Sequence, residues 1–573
     1  MSTGSQATPV RFLERRDLWW LAVGVVTAVL GGLSCWRLES YDVFWQVRAG
    51  EEILRGMGVQ QVDAWSLTIR GREWINFQWL CTAVMAAVHG VAGVPGLVLM
   101  RAVIVMLWCG LLAGIVWAVA SPRHRVLLFA ALVPAIVSVT AFRQQMRPDL
   151  LGYPLFTALL LAWLWPALAD SRRVLVSCLV LLVWTNWHGG TVAFGGITAG
   201  SLALFHVRPP RQAAWAVVVM AAATFLSPAH LRIVPVLFEH AGYTYGAMFQ
   251  NVDFQPWSFD LLDARVWGFA FIAWIVLLAL FVAACVPVAS GSVRLPGRAS
   301  NPAAVLLLAA FFTWMSFRYL RVIPYQLTFA LPVLVAAFPR LARAAWPAGV
   351  LALMATWLWL VPAQVTRNPP LGLGLEPAHC PVGCARFINR VRPLPNLFNT
   401  YNFGGLVIHA LRDYPVFIDG RYWPYVKAGV FEDFKRACSG PDAMREALAR
   451  REINVILFNV LPVRVRGADV LDLADVLFPR DTWALVHFDN AGVVWVRRIP
   501  EHEAIIAAHE YRLLKPGLPV GWYRDHFADP ESRSRLEAEV DRCLREEPDN
   551  AWCLALATAL GRPIPVSAAE AKP

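Results

Sequence analysis

The chain has 573 residues, 57% of them apolar and 16% charged, with 26 Trp and a mean hydropathy of +0.50. Soluble globular chains run at about 45–50% apolar and about 25% charged, so this composition excludes a disordered chain, a coiled coil and an ordinary soluble enzyme. Fifty-one Lys and Arg against 40 Asp and Glu give +11, an excess that in a membrane protein records topology and does not require nucleic acid.

Apolar blocks, most of spanning length, about 17–25 residues, occur at 18–38, 97–119, 126–142, 150–168, 174–187, 190–206, 212–227, 266–286, 302–317, 322–338 and 346–363, those at 174–187, 190–206 and 212–227 being short. They predict an α-helical polytopic membrane protein with about 11 transmembrane helices. The first block follows Arg11, Arg15 and Arg16 and has no small-residue cleavage site, so it reads as a retained helix and not a signal peptide. With residues 1–17 in the cytoplasm, the inner loops hold Arg123, Arg125, Arg172, Arg173, Arg208, Arg211, Arg294, Arg298, Arg340 and Arg343. The opposite short loops hold Arg143, Arg147, Arg232, Arg265, Arg318 and Arg321. This bias predicts a cytoplasmic N-terminus and an outer C-terminal region.

Two stretches depart from the pattern. The first outer loop, 39–96, is amphipathic: Phe44, Val47, Ile53 and Leu54 fall at helical spacing, and Trp74, Phe77, Trp79, Leu80, Val84 and Val88 form a second apolar stripe. The stretch 76–91 reads as a helix lying in the outer interface of the transmembrane domain, 18–365. Beyond a Pro- and Gly-rich linker the sequence becomes soluble in character. Runs at 414–418, 454–459 and 483–488 alternate with helical patterns such as 443–451, which predicts an extracytoplasmic α/β domain over 366–500. The tail, 501–573, reads as helical, and Glu547-Pro548-Asp549-Asn550-Ala551 opens a tetratricopeptide-like helix. A single such unit cannot bury its own face, so it docks on the domain or on a protein partner.

Ten Cys are dispersed along the chain; on an oxidising outer face Cys380 and Cys384, or Cys543 and Cys553, are the pairs that can form disulfides. His379-Cys380 with Cys384 lacks a second ligand pair for a metal, and no phosphate-binding loop, dinucleotide fingerprint, zincin helix or nucleophile elbow is present.

The informative loop begins Glu39-Ser40-Tyr41-Asp42-Val43-Phe44-Trp45. A carboxylate at the end of a span, beside aromatics, is partly desolvated; desolvation raises its pKa and suits it to act as a general base. Capping of the following helix is the other reading of Asp42. In Asn186-Trp187-His188-Gly189-Gly190, Asn186 and His188 are polar groups at membrane depth, suited either to lining a substrate or to hydrogen bonds between helices. Asp253 and Trp257 in the 228–265 loop line an acceptor groove or pack structurally. Asp419-Gly420-Arg421 reads first as a turn.

The plan resembles the GT-C superfamily of membrane glycosyltransferases, which includes protein O-mannosyltransferases, the lipid A aminoarabinose transferase and the oligosaccharyltransferase catalytic subunit. More closely it resembles a group of bacterial GT-C-like proteins. The motifs carrying this are Asp42, Trp45 and Gly50; Asp63 and Ser66; Trp74, Trp79 and Leu80; Arg147-Pro148; Asn186 to Gly190; Asn399-Thr400-Tyr401-Asn402-Phe403-Gly404-Gly405; and Val416-Phe417-Ile418-Asp419-Gly420-Arg421. The resemblance implies a bacterial inner-membrane enzyme that transfers a sugar from a polyprenyl (di)phosphate to a glycan, lipid or protein acceptor. Asp42 becomes the base, with inversion at the anomeric carbon. Glu39, Asp63 and Asp149 are the candidates for a second acid; a paired acidic motif is missing, so a divalent metal (Mg or Mn) stays open and a metal-free base is favoured. A phosphate leaving group needs cations, and guanidinium grips phosphate bidentately. Arg147, Arg318 and Arg321, with Arg143, form the candidate clamp, and snorkelling to lipid headgroups is the alternative. Trp45, His188, Asn186, Asp253, Trp257 and Tyr325 are then substrate-lining. The rival classes are a non-catalytic assembly protein of envelope glycan biogenesis and a lipid-glycan transporter.

Overall fold

The computed structural model describes residues 16–232, 234–235, 268–339, 369–460, 464–466, 469–471 and 473–562. The apolar block 346–363, the arginines Arg11, Arg15, Arg265, Arg340 and Arg343, and the candidates Asp253 and Trp257 lie outside these residues. The chain divides into two compact units, one comprising Met1–Leu38, Ile53–Val59 and Asn76–Gly374, the other Glu39–Glu52, Gln60–Ile75 and Leu375–Pro573. Most of the first outer loop thus folds with the C-terminal unit.

In the first unit the apolar blocks before 346 become helices: Arg16–Leu33, Trp79–Val119, Arg125–Val139, Gly152–Leu164, Asp170–Trp187, Val192–His206, Pro210–Thr224, Gly268–Ala289 and Pro302–Arg318, then Leu320–Pro339. Among the described residues five segments are long and apolar enough to cross a membrane on their own: Arg16–Leu33, Trp79–Val119, Pro122–Val139, Ala270–Ala289 and Leu320–Pro339. Pro148–Leu164, Val192–His206 and Pro302–Arg318 are shorter apolar helices. The helix from Trp79 runs directly into the block at 97–119, broken only at Gly93, whose φ of 59° and ψ of −151° a side chain would not tolerate, with Pro95 following.

Trp108, Trp163, Trp184 and Trp274 are fully buried in this unit's core. Buried indole N–H groups need acceptors; Trp163 donates to Ser177 Oγ at 3.1 Å and Trp274 to Gln326 Oε1 at 3.2 Å. Trp20, Leu107, Trp215 and Val282 stand exposed on the outside of the helices, a surface that suits lipid and not water. Arg101, 0% exposed within the helix Trp79–Val119, donates to the carbonyls of Ser34 and Trp36 and lies 4.2 Å from the Trp36 ring. It thereby satisfies acceptors left where the helix Arg16–Leu33 ends.

The second unit is built on a four-stranded sheet in the order β1 (Leu397–Asn399), β2 (Val455–Asn459), β6 (Gly492–Arg497), β5 (Trp483–Phe488). β1 and β2 are parallel, and the other pairings are antiparallel. Strands β3 (Arg464–Arg466) and β4 (Asp469–Leu471) form a separate hairpin. The crossover from β1 to β2 carries the helices Gly404–Ala410, Trp423–Lys427, Val430–Ala437 and Pro441–Arg450. The second unit thus combines a small sheet with helices, and it extends beyond the expected 366–500 to take in first-loop segments and the tail. The run 414–418 pairs instead with the first loop: Leu67 N donates to Val416 O at 2.8 Å and Val416 N to Trp65 O at 3.0 Å.

The tail docks on its own domain. Leu536, Val540 and Leu544 of Pro530–Glu546, and Leu556 of Ala551–Ala559, join one core with Phe398, Phe458 and Trp495. Cys543 and Cys553 form a disulfide, whereas Cys380 and Cys384 are free and buried.

Candidate active site

The first-loop motifs up to Trp74 assemble within the second unit, and Trp79 and Leu80 belong to the first. The Asp42 carbonyl accepts from Gln46 N at 3.2 Å, which puts Asp42 at the N-cap position of the helix Val43–Leu54, and its side-chain Oδ1 accepts the Trp45 indole N–H at 3.1 Å. Asp42 is half-buried. Glu52, near the end of the same helix, accepts from Arg48 Nε at 3.0 Å, Gln60 Nε2 at 3.2 Å and Trp65 Nε1 at 3.0 Å, tying the helix to the strand-like 60–75 segment.

Arg421 is the centre of a cluster that the sequence did not reveal. Its side chain is wholly buried, 2.5 Å from Asp63 Oδ1 and 2.6 Å from Asp419 Oδ2, with Nε on Asp419 Oδ1 at 2.8 Å. Tyr425 donates to Asp419 Oδ2 at 2.5 Å, and Ser66 N and Oγ both donate to Asp63 at 3.0 Å. The guanidinium also lies 4.9 Å from the Trp65 ring and 4.6 Å from the Trp74 ring. Burial opposes the charge on Arg421, but Asp419, Tyr425 and Asp63 outweigh it and hold its pKa well above the ordinary value. Burial, reinforced by Asp419, keeps the Tyr425 phenol protonated. Asp63, a candidate second acid, is therefore committed to an ion pair.

The two later motifs hold this cluster in place. Asn399, at the end of β1, accepts from Phe417 N at 2.9 Å and donates to Ile418 O at 2.7 Å, so an amide side chain extends the strand pairing. Tyr422 sits at φ 55° and ψ −72°, with Trp423 N donating to Arg421 O at 2.8 Å. That is a γ-turn with a non-glycine residue at positive φ, a conformation costing on the order of 1–3 kcal/mol and kept only where the surroundings over-determine it.

In the first unit a second charged group forms around Asp149. Arg143 pairs with Asp149, both 6% exposed, and Arg321, Arg147 and His188 lie within electrostatic reach of the same carboxylate. The net charge is positive while His188 is neutral. His188 follows the helix Asp170–Trp187, and its Nδ1 accepts from Thr191 N at 3.2 Å, with Thr191 Oγ1 at 3.0 Å. A nitrogen that accepts a backbone N–H carries no proton, so the hydrogen sits on Nε2 and the ring is neutral. Trp184 donates to Thr191 Oγ1 at 2.9 Å and stacks on Tyr325 at 6.0 Å. Tyr325 lies fully buried against Tyr153, at 5.1 Å, and against Gly152, where a Cβ would collide with its hydroxyl. Arg318 closes the helix Pro302–Arg318, half-buried. Asn186 is occupied: it accepts from Trp79 Nε1 at 2.7 Å and donates to Leu182 O at 2.8 Å and Leu226 O at 2.9 Å. Glu39 is half-buried at the start of the loop.

The chain, with its apolar helices and an α/β unit that takes in much of the first loop, shares its fold with two solved proteins. It is similar to the archaeal oligosaccharyltransferase AglB from Archaeoglobus fulgidus, solved with an inhibitory peptide and a dolichol-phosphate, at a TM-score of 0.54 and 11% identity over 78% of this chain and 70% of that one. It is also similar to ArnT from Cupriavidus metallidurans bound to undecaprenyl phosphate, at a TM-score of 0.51 and 13% identity over 84% of this chain and 98% of that one. No protein-family model matches the chain, and no curated protein matches it in sequence.

Proposed function

We propose that the chain is an inner-membrane glycosyltransferase, N-terminus inside, that transfers a sugar from a polyprenyl (di)phosphate to an acceptor hydroxyl on the outer side. The observation that carries the reading is the arginine group around Asp149. Three guanidiniums against one carboxylate leave a net charge of +2 when His188 is neutral, suited to a phosphate that gains negative charge as its bond to the sugar breaks. The lipid phosphates in the AglB and ArnT structures support the same chemistry.

In this reading Asp42 takes the acceptor proton while the acceptor oxygen bonds to the anomeric carbon. The bond from that carbon to the phosphate oxygen breaks on the opposite face, which inverts the configuration. Arg147 and Arg321 take the released phosphate, Arg318 assists from the neighbouring turn, and Asp149 orients Arg143. The acidic candidates Asp63 and Asp149 are each in contact with a buried arginine, a poor setting for a divalent cation, so no step is assigned to metal.

The test uses full-length protein in nanodiscs and a panel of radiolabelled undecaprenyl-phosphate hexoses and pentoses. Asp42→Asn abolishes transfer while its elution profile and melting midpoint stay at the wild-type values; Arg321→Ala weakens undecaprenyl-phosphate binding about tenfold or more. Full transfer by Asp42→Asn overturns the base assignment, whereas no transfer by the wild type from any donor in the panel overturns the glycosyltransferase reading and favours a non-catalytic assembly protein.

A further inference from the structure

We propose that the Asp419-Gly420-Arg421 turn positions the Asp42 carboxylate, with Gly420 as the contact and Arg421 as the fixed point behind it. The geometry stands by itself; only its consequence for catalysis rests on Asp42 being the base.

A Cβ added to Gly420 would land on Asp42 Oδ1, with Asp42 Cγ at 3.1 Å and Trp45 Nε1 at 3.6 Å. The same Oδ1 accepts the Trp45 indole N–H. One carboxylate oxygen is therefore confined between a bare backbone and the Trp45 indole, which selects one rotamer of Asp42. Only glycine allows that approach.

The backbone at Gly420 has little freedom to yield. Its neighbours Asp419 and Arg421 have side chains of zero exposure locked into one ion pair, and Arg421 N donates to Asp419 Oδ1 at 2.9 Å. Behind them a Cβ on Gly404 would strike the Ile418 carbonyl and Asp419. Gly405 bears in the same way on the Tyr41 carbonyl, one residue before Asp42, with Trp45 Cδ1 at 3.5 Å. Trp74 links the two sides: its face meets the Arg421 guanidinium at 4.6 Å and it packs edge-on to Trp45 at 5.8 Å. Two glycines from two C-terminal motifs, Gly405 and Gly420, thus enclose Tyr41, Asp42 and Trp45, and Gly404 backs the turn that carries Gly420. The outer domain supplies the seat of the base, a role distinct from admitting the acceptor. Gly420 and Arg421 are positioning residues.

A double-mutant cycle reads the contact without reference to activity. In full-length protein in nanodiscs, Gly420→Ala lowers the melting midpoint by about 4–8 °C. In the Asp42→Ala background, where the space is open, the same change lowers it by less than about 1 °C. Additive losses overturn the contact. Activity then reads the consequence: with the radiolabelled donor panel, Gly420→Ala loses about 10- to 100-fold in kcat with an unchanged KM for donor, kcat being taken per folded protein recovered by size-exclusion chromatography so that an unfolded fraction does not count as lost kcat. An unchanged kcat overturns the positioning role. If Asp42→Asn keeps full transfer, the base reading fails while the cycle still decides the contact.

Discussion

Replacing Arg421 with Gln leaves Asp63 and Asp419 at zero exposure facing a neutral amide. Removing one partner of a buried ion pair costs about 3–5 kcal/mol, because the remaining charge is stranded without water. The guanidinium also lies over the Trp65 and Trp74 rings, at 4.9 and 4.6 Å, contacts of about 0.5–2 kcal/mol that the amide does not reproduce. Allowing for non-additivity, the expected loss is about 4–6 kcal/mol, a drop in melting midpoint of about 10–20 °C for a unit of this size. Fluorescence-detected size-exclusion chromatography after graded heating measures it in detergent. Arg421→Lys keeps the charge but loses the fork that spans both carboxylates, so it falls between wild type and Gln. Adding Asp63→Asn and Asp419→Asn to Arg421→Gln removes the stranded charges and recovers part of the loss. A drop of less than about 1 kcal/mol for Arg421→Gln, or no recovery in the triple variant, refutes the reasoning.

The helical tail carries a pH-dependent clamp. His487 on β5 is 3.1 Å from Glu546 and 3.4 Å from Glu547. Burial alone would lower the His487 pKa, but its hydrogen bonds to the two glutamates raise it above 6.5. Burial would raise that of Glu546, yet His487 and Arg390 pull it down to about 2. The His contribution is complete below pH 6.5 and is lost as the pH rises through the raised value. The Glu contribution is complete above pH 4.5 and is lost as the pH falls toward about 2. The melting midpoint of wild type therefore falls as the pH rises above 6.5, and that of His487→Gln stays flatter; equal slopes would remove the clamp. Cys543→Ser opens the cross-link between residues ten apart and costs about 2–3 kcal/mol, seen as faster hydrogen exchange in Pro530–Glu546; unchanged exchange contradicts it. EDTA leaves transfer unchanged, because Asp63 and Asp149 are held by arginines; loss of activity restored by Mg or Mn would reverse this reading.

The sequence was most legible where burial is local and periodic. Span-length apolar runs fell on helices, and the runs at 454–459 and 483–488 became β2 and β5. Pairings across hundreds of residues left no such trace. Asp419-Gly420-Arg421 carries the composition of a turn, and nothing nearby in sequence shows that its arginine completes a pair with Asp63. The first loop looked like an appendage of the membrane domain because its apolar stripes fit an interface helix as well as a protein core. Asn399 was noticed within a motif, but an amide that substitutes for strand pairing is recognisable only once 417–418 is beside it. Arg143, Arg147 and Arg321 stand out in the sequence against the predicted charge bias, and in the structure they lie around Asp149. Asp149 was read as an acid available for chemistry; its partner Arg143, six residues earlier, lies in the same loop.

The discontinuity of the outer unit sets a schedule for its synthesis. Ser66 and Tyr425, hydrogen-bonded at 2.7 Å, are 359 residues apart in the chain. At about 5–20 residues per second, about 20–70 s separates the emergence of the loop from that of its partner. Throughout that interval Trp45, Trp65 and Trp74 lack the C-terminal residues they pack against, Arg421 among them. A chain released early has no complete outer unit, which ties full-length translation to possession of the Asp42 seat.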